Sequence, residues 1–500
     1  MPNITIREED LTNPQAQAID ENVVYIPGSA ITGPLDRPTL ITSLKEFHRV
    51  FGDEAYKYAE NASDNYDNNV VKDQPELSYI YAEEVLNAGL PILYERIGSG
   101  VKATIIQGNL TATALYEGKY SDDIGFRVNS TGLLEIFYGT QVVERFNVSD
   151  DPTKDNYICN IESAYLTFTA SGTITFPIAG SEDAPIKLTG GSYSFNLATM
   201  EIRLKNLDKL LDKYDYNNLS FITSGGYSIL KDTTHSLVED VLKIAANRGD
   251  AIALINASKN LSANETRAML ISLGLNDKKT ELTQESYSKY GACFVANYGK
   301  YRTTNYNKYK IQELPNSLGY LEAFGNSIKS NAVWIPVGNT TRGLITNLVS
   351  VDESKKITGA IMNSIIKEDE LSINPIMNIK PYGYCVYGNR TLYFNDLGLA
   401  DSCYLNIRVL VNTVKKAIFR AAQRFTYDIN DDILWLRFKA AVEPLLDKMK
   451  TGSGIRAYKS EKLESDKKGL LKCKFSISPI EGVEDFDVTV SLTDSLVEVE

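Results

Sequence analysis

Residues 23–52 read VVYIPGSAITGPLDRPTLITSLKEFHRVFG. The first half of this stretch is rich in β-branched residues and is interrupted by Pro-Gly and Gly-Pro pairs, which predicts short strands separated by turns. Leu44 to Phe51 then predicts a small helix. Further along the chain, Tyr79 to Ala88 predicts a second helix and Pro91 to Ile97 another strand. We therefore assign residues 23–100 to the first part of the molecule's core.

Length and charge limit the class of protein. A chain of 500 residues is too long for one hydrophobic core, so three or four domains are expected. The net charge of −12 and the isoelectric point of about 5.0 argue against binding to nucleic acid or to an anionic membrane. No apolar run approaches the roughly 20 residues that span a bilayer, and the N-terminal sequence lacks the pattern of a signal peptide. We expect a protein that folds in a cytoplasm, without membrane insertion.

The middle of the chain changes its pattern twice. Residues 101–186 are rich in Thr, Val, Ile, Tyr and Phe with Gly and Asn turns, which predicts an inserted β-rich domain. Residues 187–350 instead alternate strands with helices, as a mainly parallel sheet does. The clearest strands are LSFIT at 219–223 and AIALIN at 251–256.

Two helices of this α/β region carry start and stop signals. The first is expected to begin near Asp232 as N-cap, and apolar residues then recur at helical spacing at Val238, Val241, Leu242 and Ala245. The next helix opens with Ser262 and Glu265 at capping-box spacing. Gly274 is placed to end it.

Residues 351–480 predict a C-terminal α+β domain. Leu405 to Phe425 is a strongly amphipathic helix. Its apolar face holds Leu410, Val414, Ala417, Ile418, Ala421 and Phe425. A second helix is predicted from about Asp432 to Met449, and Lys472 to Ser478 alternates as a strand.

Both ends of the chain predict arms with short strands. Residues 1–22 form the N-terminal arm, which alternates weakly at Ile4 and Ile6. Residues 481–500 form the C-terminal arm and contain seven acidic and no basic side chains. Its apolar residues alternate at Phe486, Val488, Val490 and Leu492, the period of a strand with one buried face. The acidic composition discourages aggregation but allows pairing with a designated partner. We hypothesise that both arms are strands exchanged between subunits; the alternative is that 486–492 pairs within its own subunit.

In their order along the chain, these segments resemble the contractile bacteriophage tail sheath proteins, the myovirus-type sheath family. The resemblance covers most of the chain. The matching stretches are VYIPGSAITGPLDRPTLITSLKEFHRVFG, AEEVLNAGLPILYERI, LTGG at the start of the α/β region, WIPVGNTTRG at its end, and YGNRT and FTYDINDDILWLRF in the C-terminal region. The β-rich insertion and the stretch NYGKYRTTNYNKYK at 297–310 depart from the family's pattern.

The resemblance implies a multidomain α+β protein whose α/β sheath domain has a subtilisin-like topology and whose C-terminal domain faces a tail tube. It implies a structural subunit, not an enzyme, that stacks as hexameric rings around the tube. The sheath would contract and drive the tube through the host envelope during genome ejection, without a nucleotide cofactor. The implied partners are further copies of the chain, the tail tube protein, the baseplate and the tail terminator or neck proteins. The implied location is the phage tail of the virion, assembled in the host cytoplasm.

The alternatives to a phage tail sheath are the sheath of a related machine, a surface adhesin and a serine hydrolase. The nearest alternative is the sheath of a related contractile injection machine, such as a bacteriocin or a secretion system. A surface adhesin is disfavoured by the missing export signal. A serine hydrolase is suggested by the subtilisin-like topology, but its triad needs an imidazole, and neither His48 nor His235 lies near a Gly-x-Ser-x-Gly elbow. We interpret His235 as a surface or capping residue, and assign no catalytic residue.

Cofactor and metal sites are not indicated either. The segment Gly291 to Lys300 has seven residues between its glycines where a phosphate loop needs four, so a strand followed by a turn is favoured. The five scattered cysteines contain no CxxC pair, and we expect reduced, mostly buried thiols. The acidic cluster at 428–432 lacks the Gly and Glu of a calcium loop, which favours N-capping of the next helix by Asp431 or Asp432.

One charge pattern predicts a binding surface. The helix from Leu405 to Phe425 has five basic residues and no acidic one: Arg408, Lys415, Lys416, Arg420 and Arg424. They lie mostly opposite the apolar stripe, so we expect them to face outward. A solvated face is one interpretation. The other is docking onto an acidic tail tube, since the resemblance implies a tube-facing C-terminal domain.

Overall fold

The structure is a computed structural model that describes most of the chain. The described residues are 22–55, 76–178, 184–207, 211, 216, 218–227, 237–256, 261–275, 287–295, 298–304, 311–367, 370–394, 401–465 and 470–482.

The helices are α1 Leu44–Phe51, α2 Leu77–Asn87, α3 Leu197–Lys205, α4 Leu237–Arg248, α5 Ala263–Leu270, α6 Ser317–Ile328, α7 Asn339–Arg342, α8 Gly359–Ile365, α9 Leu405–Phe425 and α10 Asp432–Thr451. The strands up to residue 200 are β1 Val23–Gly28, β2 Thr39–Ile41, β3 Ile92–Arg96, β4 Ser99–Val101, β5 Thr104–Gln107, β6 Leu110–Ala114, β7 Ile124–Val128, β8 Leu133–Tyr138, β9 Gln141–Asn147, β10 Leu166–Ala170, β11 Ile186–Lys187 and β12 Ser192–Ser194. The later strands are β13 Leu219–Ile222, β14 Ile252–Ile255, β15 Gly291–Val295, β16 Tyr298–Arg302, β17 Ile311–Pro315, β18 Leu348–Val351, β19 Asn374–Ile379, β20 Gly383–Val386, β21 Ile455–Leu463 and β22 Lys472–Pro479.

An eight-stranded sheet forms the centre of the molecule, in the order β2-β3-β1-β13-β14-β15-β19-β20. The strands from β3 to β19 run parallel, while β2 and β20 are antiparallel at the two edges. Strands β1, β3 and β14 are buried along their whole length. Burial on both faces explains why β1 and β14 are mostly apolar, while β3 ends in the buried charged residues Glu95 and Arg96. The mainly parallel sheet predicted from the sequence is therefore present.

The central sheet continues past the predicted domain boundary at residue 350. Strands β19 and β20 complete its far edge. The buried side chains around the sheet form one cluster that begins at Val23 and includes Leu405 and Val409 at the start of α9. The boundary at 350 therefore falls inside this central body, because the chain returns to the sheet after leaving it for β16, β17 and β18.

The β-rich insertion has a core of its own. Strands β5, β6 and β10 form one antiparallel sheet, and β7, β8, β9 and β11 form another. Their apolar faces enclose a second cluster, in which Phe126 and Phe168 meet edge to face with ring centroids 5.2 Å apart. The pair β4 and β12 joins the two ends of the insertion. The buried Arg96 adds a tie, since its guanidinium donates to carbonyls of Ala30 and Gly33 in the central body and of Glu117 in the insertion, each at 2.9 Å.

The third core lies in the C-terminal region, where α9, α10 and the β21–β22 hairpin pack together. Helix α9 has the bounds that its periodicity predicts. Helix α10 begins after Asp431, whose side chain accepts a hydrogen bond from the Leu434 amide at 2.7 Å, as the capping interpretation requires. Trp334 joins this core and donates its indole N–H to the Gly452 carbonyl at 3.0 Å.

Local signals in the α/β region are largely confirmed. Ser262 and Glu265 form the predicted capping box at the start of α5. The predicted end of that helix is wrong, because α5 ends at Leu270 and Gly274 lies within a π-helical turn that follows. The four apolar positions predicted for α4 are buried. Its expected N-cap, Asp232, and the nearby His235 lie outside the described residues.

Candidate assembly interface

Helix α9 lies between two cores. Its apolar face contributes Leu410, Val414, Ala417, Ala421 and Phe425 to the C-terminal core, as predicted. The opposite face crosses the amino ends of three parallel strands. Arg408 contacts Tyr290 just before β15, Lys415 contacts Gly249 ahead of β14, and Lys416 contacts Ser220 in β13. The predicted polar face of α9 is thus largely covered by the central body.

Two of the five basic side chains on α9 are buried. Arg408 is 6% exposed and its guanidinium lies over the Tyr290 ring, 5.0 Å from the centroid. Lys416 is 4% exposed and its Nζ donates to Ser220 Oγ at 2.8 Å. The expectation that these two residues face outward is therefore wrong. The helical period identifies the face opposite the apolar stripe, but it does not show that a second body packs on that face.

The surroundings of Lys416 are electrostatically unfavourable for a charged amine. Burial lowers the pKa of Lys416 to about 7, and the nearby Asp250 only partly opposes this effect. Asp250 is already paired with Arg248, whose Nε lies 3.0 Å from its carboxylate. One turn away on α9, both amide atoms of the buried Asn412 lack a hydrogen-bond partner among the described residues. This contact between α9 and the central body is therefore polar and incompletely hydrogen-bonded.

The remaining basic residues of α9 are accessible to solvent. Lys415 and Arg424 are exposed, and Arg420 is half-buried. Lys415 nevertheless has a defined position, because its Nζ donates to the Gly249 carbonyl at 2.8 Å and lies 5.6 Å from the centroid of the Tyr290 ring. Of the five basic residues singled out in the sequence, these three are the ones that a partner can reach.

The β21–β22 hairpin packs on α10 through one face. Cys473, Phe475 and Ile477 alternate toward the C-terminal core, which is the period predicted for Lys472 to Ser478. Phe475 contacts Phe438 edge to face and also lies 6.1 Å from the ring of Trp435. Three polar contacts fasten the hairpin to the helix: Tyr458 to Asp447 at 2.8 Å, Ser460 to Glu443 at 3.0 Å and Lys462 to Asp432 at 2.5 Å.

The same hairpin has unpaired outer edges. Among the described residues, β21 and β22 form an antiparallel sheet of two strands that pairs from Ile455–Pro479 to Leu463–Lys472, with a shift of register between Ile455 and Ala457. A two-stranded sheet with long strands presents backbone donors and acceptors that a further strand can use. Immediately after β22, the Ile480 amide bonds the Gly454 carbonyl at 3.1 Å and Glu481 pairs with Arg456 at 3.0 Å. The arm residues proposed for strand exchange lie outside the described residues: Ile4, Ile6, Phe486, Val488, Val490 and Leu492.

An exposed apolar patch at the turn between α9 and α10 was missed in the sequence. Tyr427 is fully exposed and takes a φ of 75°, a left-handed conformation that is uncommon for an aromatic residue. Ile429, Ile433 and Leu436 are also exposed. Ile433 and Leu436 lie off the buried stripe of α10, which begins with Leu434 and Phe438. That position relative to the helical period is the signal that could have identified them. Large apolar side chains exposed close together in the sequence, as at this turn, are typical of an interaction surface.

His48 is the one histidine among the described residues. His48 Nε2 lies 2.6 Å from Glu83, and its ring stacks on Tyr79, whose hydroxyl donates to the Gly52 carbonyl; its described contacts include no Ser, Thr or Cys side chain. Within the residues that the structure describes, no group of three or more His, Cys, Asp or Glu side chains is placed to hold a metal ion. Nor do those residues include a helix both long and apolar enough to cross a membrane.

No protein-family model matches the chain. The chain is similar to the tail sheath protein of Vibrio phage KVP40, with 23% identity over 339 residues. The match covers 63% of this chain and 47% of the relative, so the chain spans about half the length of the curated relative it matches.

Solved structures with the same fold include sheath proteins. The sheath tail protein of Listeria innocua has a TM-score of 0.59 at 11% identity, covering 92% of this chain and 95% of that chain. The sheath tail protein of Desulfitobacterium hafniense has a TM-score of 0.54 at 14% identity, covering 96% and 100%. The contracted helical sheath of the anti-feeding prophage has a TM-score of 0.53 at 12% identity, covering 99% of both chains.

The comparisons bear on two of the sequence predictions. The resemblance to contractile tail sheath proteins is confirmed, since the sequence relative is a phage tail sheath protein and the fold is that of sheath proteins. The matched proteins are structural sheath subunits and not enzymes, in agreement with the expected class. The subtilisin-like topology and the exchange of terminal strands remain predictions.

Proposed function

We propose that this chain, which has the fold of sheath proteins, is the sheath subunit of a contractile phage tail. The observation that carries the proposal is the likeness to the contracted anti-feeding prophage sheath, which extends over 99% of both chains. A match of that extent includes the C-terminal region and not the central sheet alone. The central body would then be the rigid unit of the sheath, and the C-terminal region would connect it to its neighbours.

A phage tail is favoured over a related injection machine by one observation. The similar curated sequence is a phage protein. Sheaths of the anti-feeding prophage and of an extracellular contractile injection system share the fold, so the fold alone does not separate the two. The sheath of such an injection system is therefore the alternative. Capsid and portal genes beside the coding sequence would support a phage, and their absence would favour the alternative.

The open hairpin is the proposed connection between subunits. The arm strand 486–492 has the length and the apolar alternation to add to an edge of β21–β22 in a neighbour, and the shorter strand around Ile4 and Ile6 could add in the same manner. Strand addition satisfies backbone hydrogen bonds while the connecting residues stay free to bend. Rigid bodies joined in this way could slide and rotate without separating.

Assembly as hexameric rings around a tail tube, followed by contraction, is the proposed mode of action. The energy would be stored in contacts between subunits, so no nucleotide is required. The exposed Lys415 and Arg424 and the half-buried Arg420 on α9 would contribute to docking on an acidic tube. The baseplate and the terminator or neck proteins would bind the two ends of the sheath. Exposed ion pairs contribute only about 0–1 kcal/mol each, but repetition in every ring multiplies the effect. The place of action would be the virion tail, after assembly in the host cytoplasm.

Polymerisation by the purified full chain tests the proposal. We expect concentrated protein to form hollow tubes in negative stain and to sediment as large particles. A chain that stays monomeric under all conditions, or that forms only closed oligomers, would contradict the proposal. Adding purified tail tubes extends the test, because a sheath subunit should coat them in regular rings.

A further inference from the structure

Three basic side chains meet around Tyr290 at the amino edge of the central sheet. Arg408 and Lys415 lie over the Tyr290 ring, 5.0 and 5.6 Å from its centroid. Lys289 immediately precedes Tyr290 in the chain, and its Nζ lies over the Tyr393 ring, 4.6 Å from the centroid. We call Lys289, Arg408 and Lys415 the cationic cluster. It is built from two distant parts of the sequence, the turn before β15 and helix α9.

None of the three has a carboxylate partner in the described part of the chain. Lys415 donates to a backbone carbonyl, Arg408 donates to Ser402 Oγ at 3.2 Å, and Lys289 has only its aromatic contact. Arg408 is 94% buried, yet its Nε has no hydrogen-bond partner there. Burial first and then the charges of Arg408 and Lys415 lower the pKa of Lys289. Three mutually repelling cations on a chain of net charge −12 form an arrangement that an anion would stabilise.

The chain itself contains a suitable anion. Residues 481–500 carry seven carboxylates and no basic side chain, which is more than half of the net charge of −12. The structure describes this arm only to Gly482. The following 18 residues could extend roughly 60 Å, which is enough to cross to an adjacent subunit in an assembly. Carboxylates at the end of the arm, such as Glu498 and Glu500, follow the strand predicted at 486–492 in the sequence and would remain available for a second contact.

We propose that the cationic cluster binds the acidic end of the C-terminal arm from another copy of this chain. The proposal rests on the proposed sheath function, because assembly would bring the arm of one subunit to the surface of the next. Lys415 and Lys289 provide accessible ammonium groups, and Arg408 raises the positive potential beneath them. This contact would lock the arm in place after its strand has added to a neighbouring sheet. We call this electrostatic contact between the cationic cluster and the acidic end of the arm the latch; it would act in addition to the exchange of strands.

Zero-length cross-linking of a mixed sample tests the proposal. Full-length chain labelled with ¹⁵N is mixed with unlabelled chain, assembled at low salt, and treated with a carbodiimide that couples a lysine amine only to a carboxylate in contact with it. We expect peptides that join Lys289 or Lys415 to residues 481–500, with one partner labelled and the other not. Lys462–Asp432 and Lys205–Glu201 are ion pairs within one chain at 2.5 and 2.8 Å, so their cross-links serve as the internal control for the reaction.

Two variants sharpen the result. Lys415→Glu should reduce the mixed-label cross-links at Lys289 by roughly fivefold, and reversing Glu498 and Glu500 to lysine in the same chain should give mixed-label cross-links between position 415 and positions 498 or 500. Lys154→Glu, an exposed reversal in the β-rich insertion, is the matched control and should change neither. The proposal would be overturned if the two control pairs are cross-linked but no cross-link joins the cationic cluster to residues 481–500. Cross-links that join only peptides of the same label would overturn it too, because the arm would then fold onto its own subunit.

The same sample separates this proposal from the sheath function. Negative stain records whether tubes form, and the cross-links record whether the latch forms. Tubes without mixed-label cross-links refute the latch and leave the sheath function standing. Mixed-label cross-links in small oligomers that never become tubes support the latch and count against the sheath function.

Discussion

Replacing the buried Lys416 by methionine should stabilise the C-terminal region at neutral pH. Lys416 has a pKa of about 7 in the folded chain and an ordinary value of 10.5 when unfolded. The folded chain therefore holds this proton more weakly, and between pH 7 and 10.5 the stability of the wild-type protein rises with pH. Below pH 7 the full penalty for burying the charge is present. Methionine matches the length of the lysine stem and carries no charge.

The magnitude follows from the two pKa values. They correspond to a penalty of roughly 4 kcal/mol at pH 7, which falls to about 1.5 kcal/mol at pH 9.5. The substitution also removes the hydrogen bond to Ser220, worth about 1 kcal/mol. We therefore expect Lys416→Met to raise the free energy of unfolding by about 2–3 kcal/mol at pH 7, and by less than about 1 kcal/mol at pH 9.5.

Tryptophan fluorescence during urea unfolding measures this effect. The chain has two tryptophans, Trp334 and Trp435, and both lie in the C-terminal core, so the signal reports the region that contains α9. The measurement is made at concentrations where sedimentation finds only monomer. Lys415→Met is the control, because Lys415 is exposed and its loss should change the free energy of unfolding by less than about 1 kcal/mol. A destabilised Lys416→Met protein, or one that keeps the wild-type increase of stability between pH 7 and 10, would refute the reasoning.

Three further predictions concern assembly and the C-terminal core. Deleting residues 484–500 should leave a folded monomer by circular dichroism that does not form tubes, and long tubes from the truncated chain would refute strand exchange. Ile433→Ser should leave the urea midpoint within error of wild type because the side chain is exposed, but it should slow tube formation measured by light scattering; unchanged assembly would exclude a role for the apolar patch. Phe475→Ala should lower the free energy of unfolding of the C-terminal core by about 2–4 kcal/mol, because the ring packs on Phe438 and Trp435. A loss under about 1 kcal/mol would show that packing of the hairpin contributes little to the stability of that core.

Local signals in the sequence were sufficient for much of the fold. The exact bounds of α9 follow from a long apolar period that few other structures could satisfy. The capping box at Ser262 and the N-cap at Asp431 depend on residues three apart, which interact before any tertiary contact forms. Strand β14 was recognisable because burial on both faces favours a continuous apolar run.

Long-range packing accounts for what the sequence did not reveal. The charges of Arg408 and Lys416 suggested a solvated face, but the amino ends of β15 and β13 cover that face. The position of β19 and β20 in the central sheet was equally invisible, since neither strand carries a signal for the partner it pairs with. The cationic cluster combines Lys289 with residues more than 100 positions away, so only the folded chain brings its charges together.

The most direct test of a sheath built by strand exchange is a helical reconstruction, by electron cryo-microscopy, of tubes grown from the purified full-length chain. We expect hexameric rings in which the strand 486–492 of one subunit pairs with an outer edge of the β21–β22 hairpin of another. The result that would contradict this is a tube, or a monomer, in which both hairpin edges stay unpaired and the C-terminal arm folds back onto its own subunit.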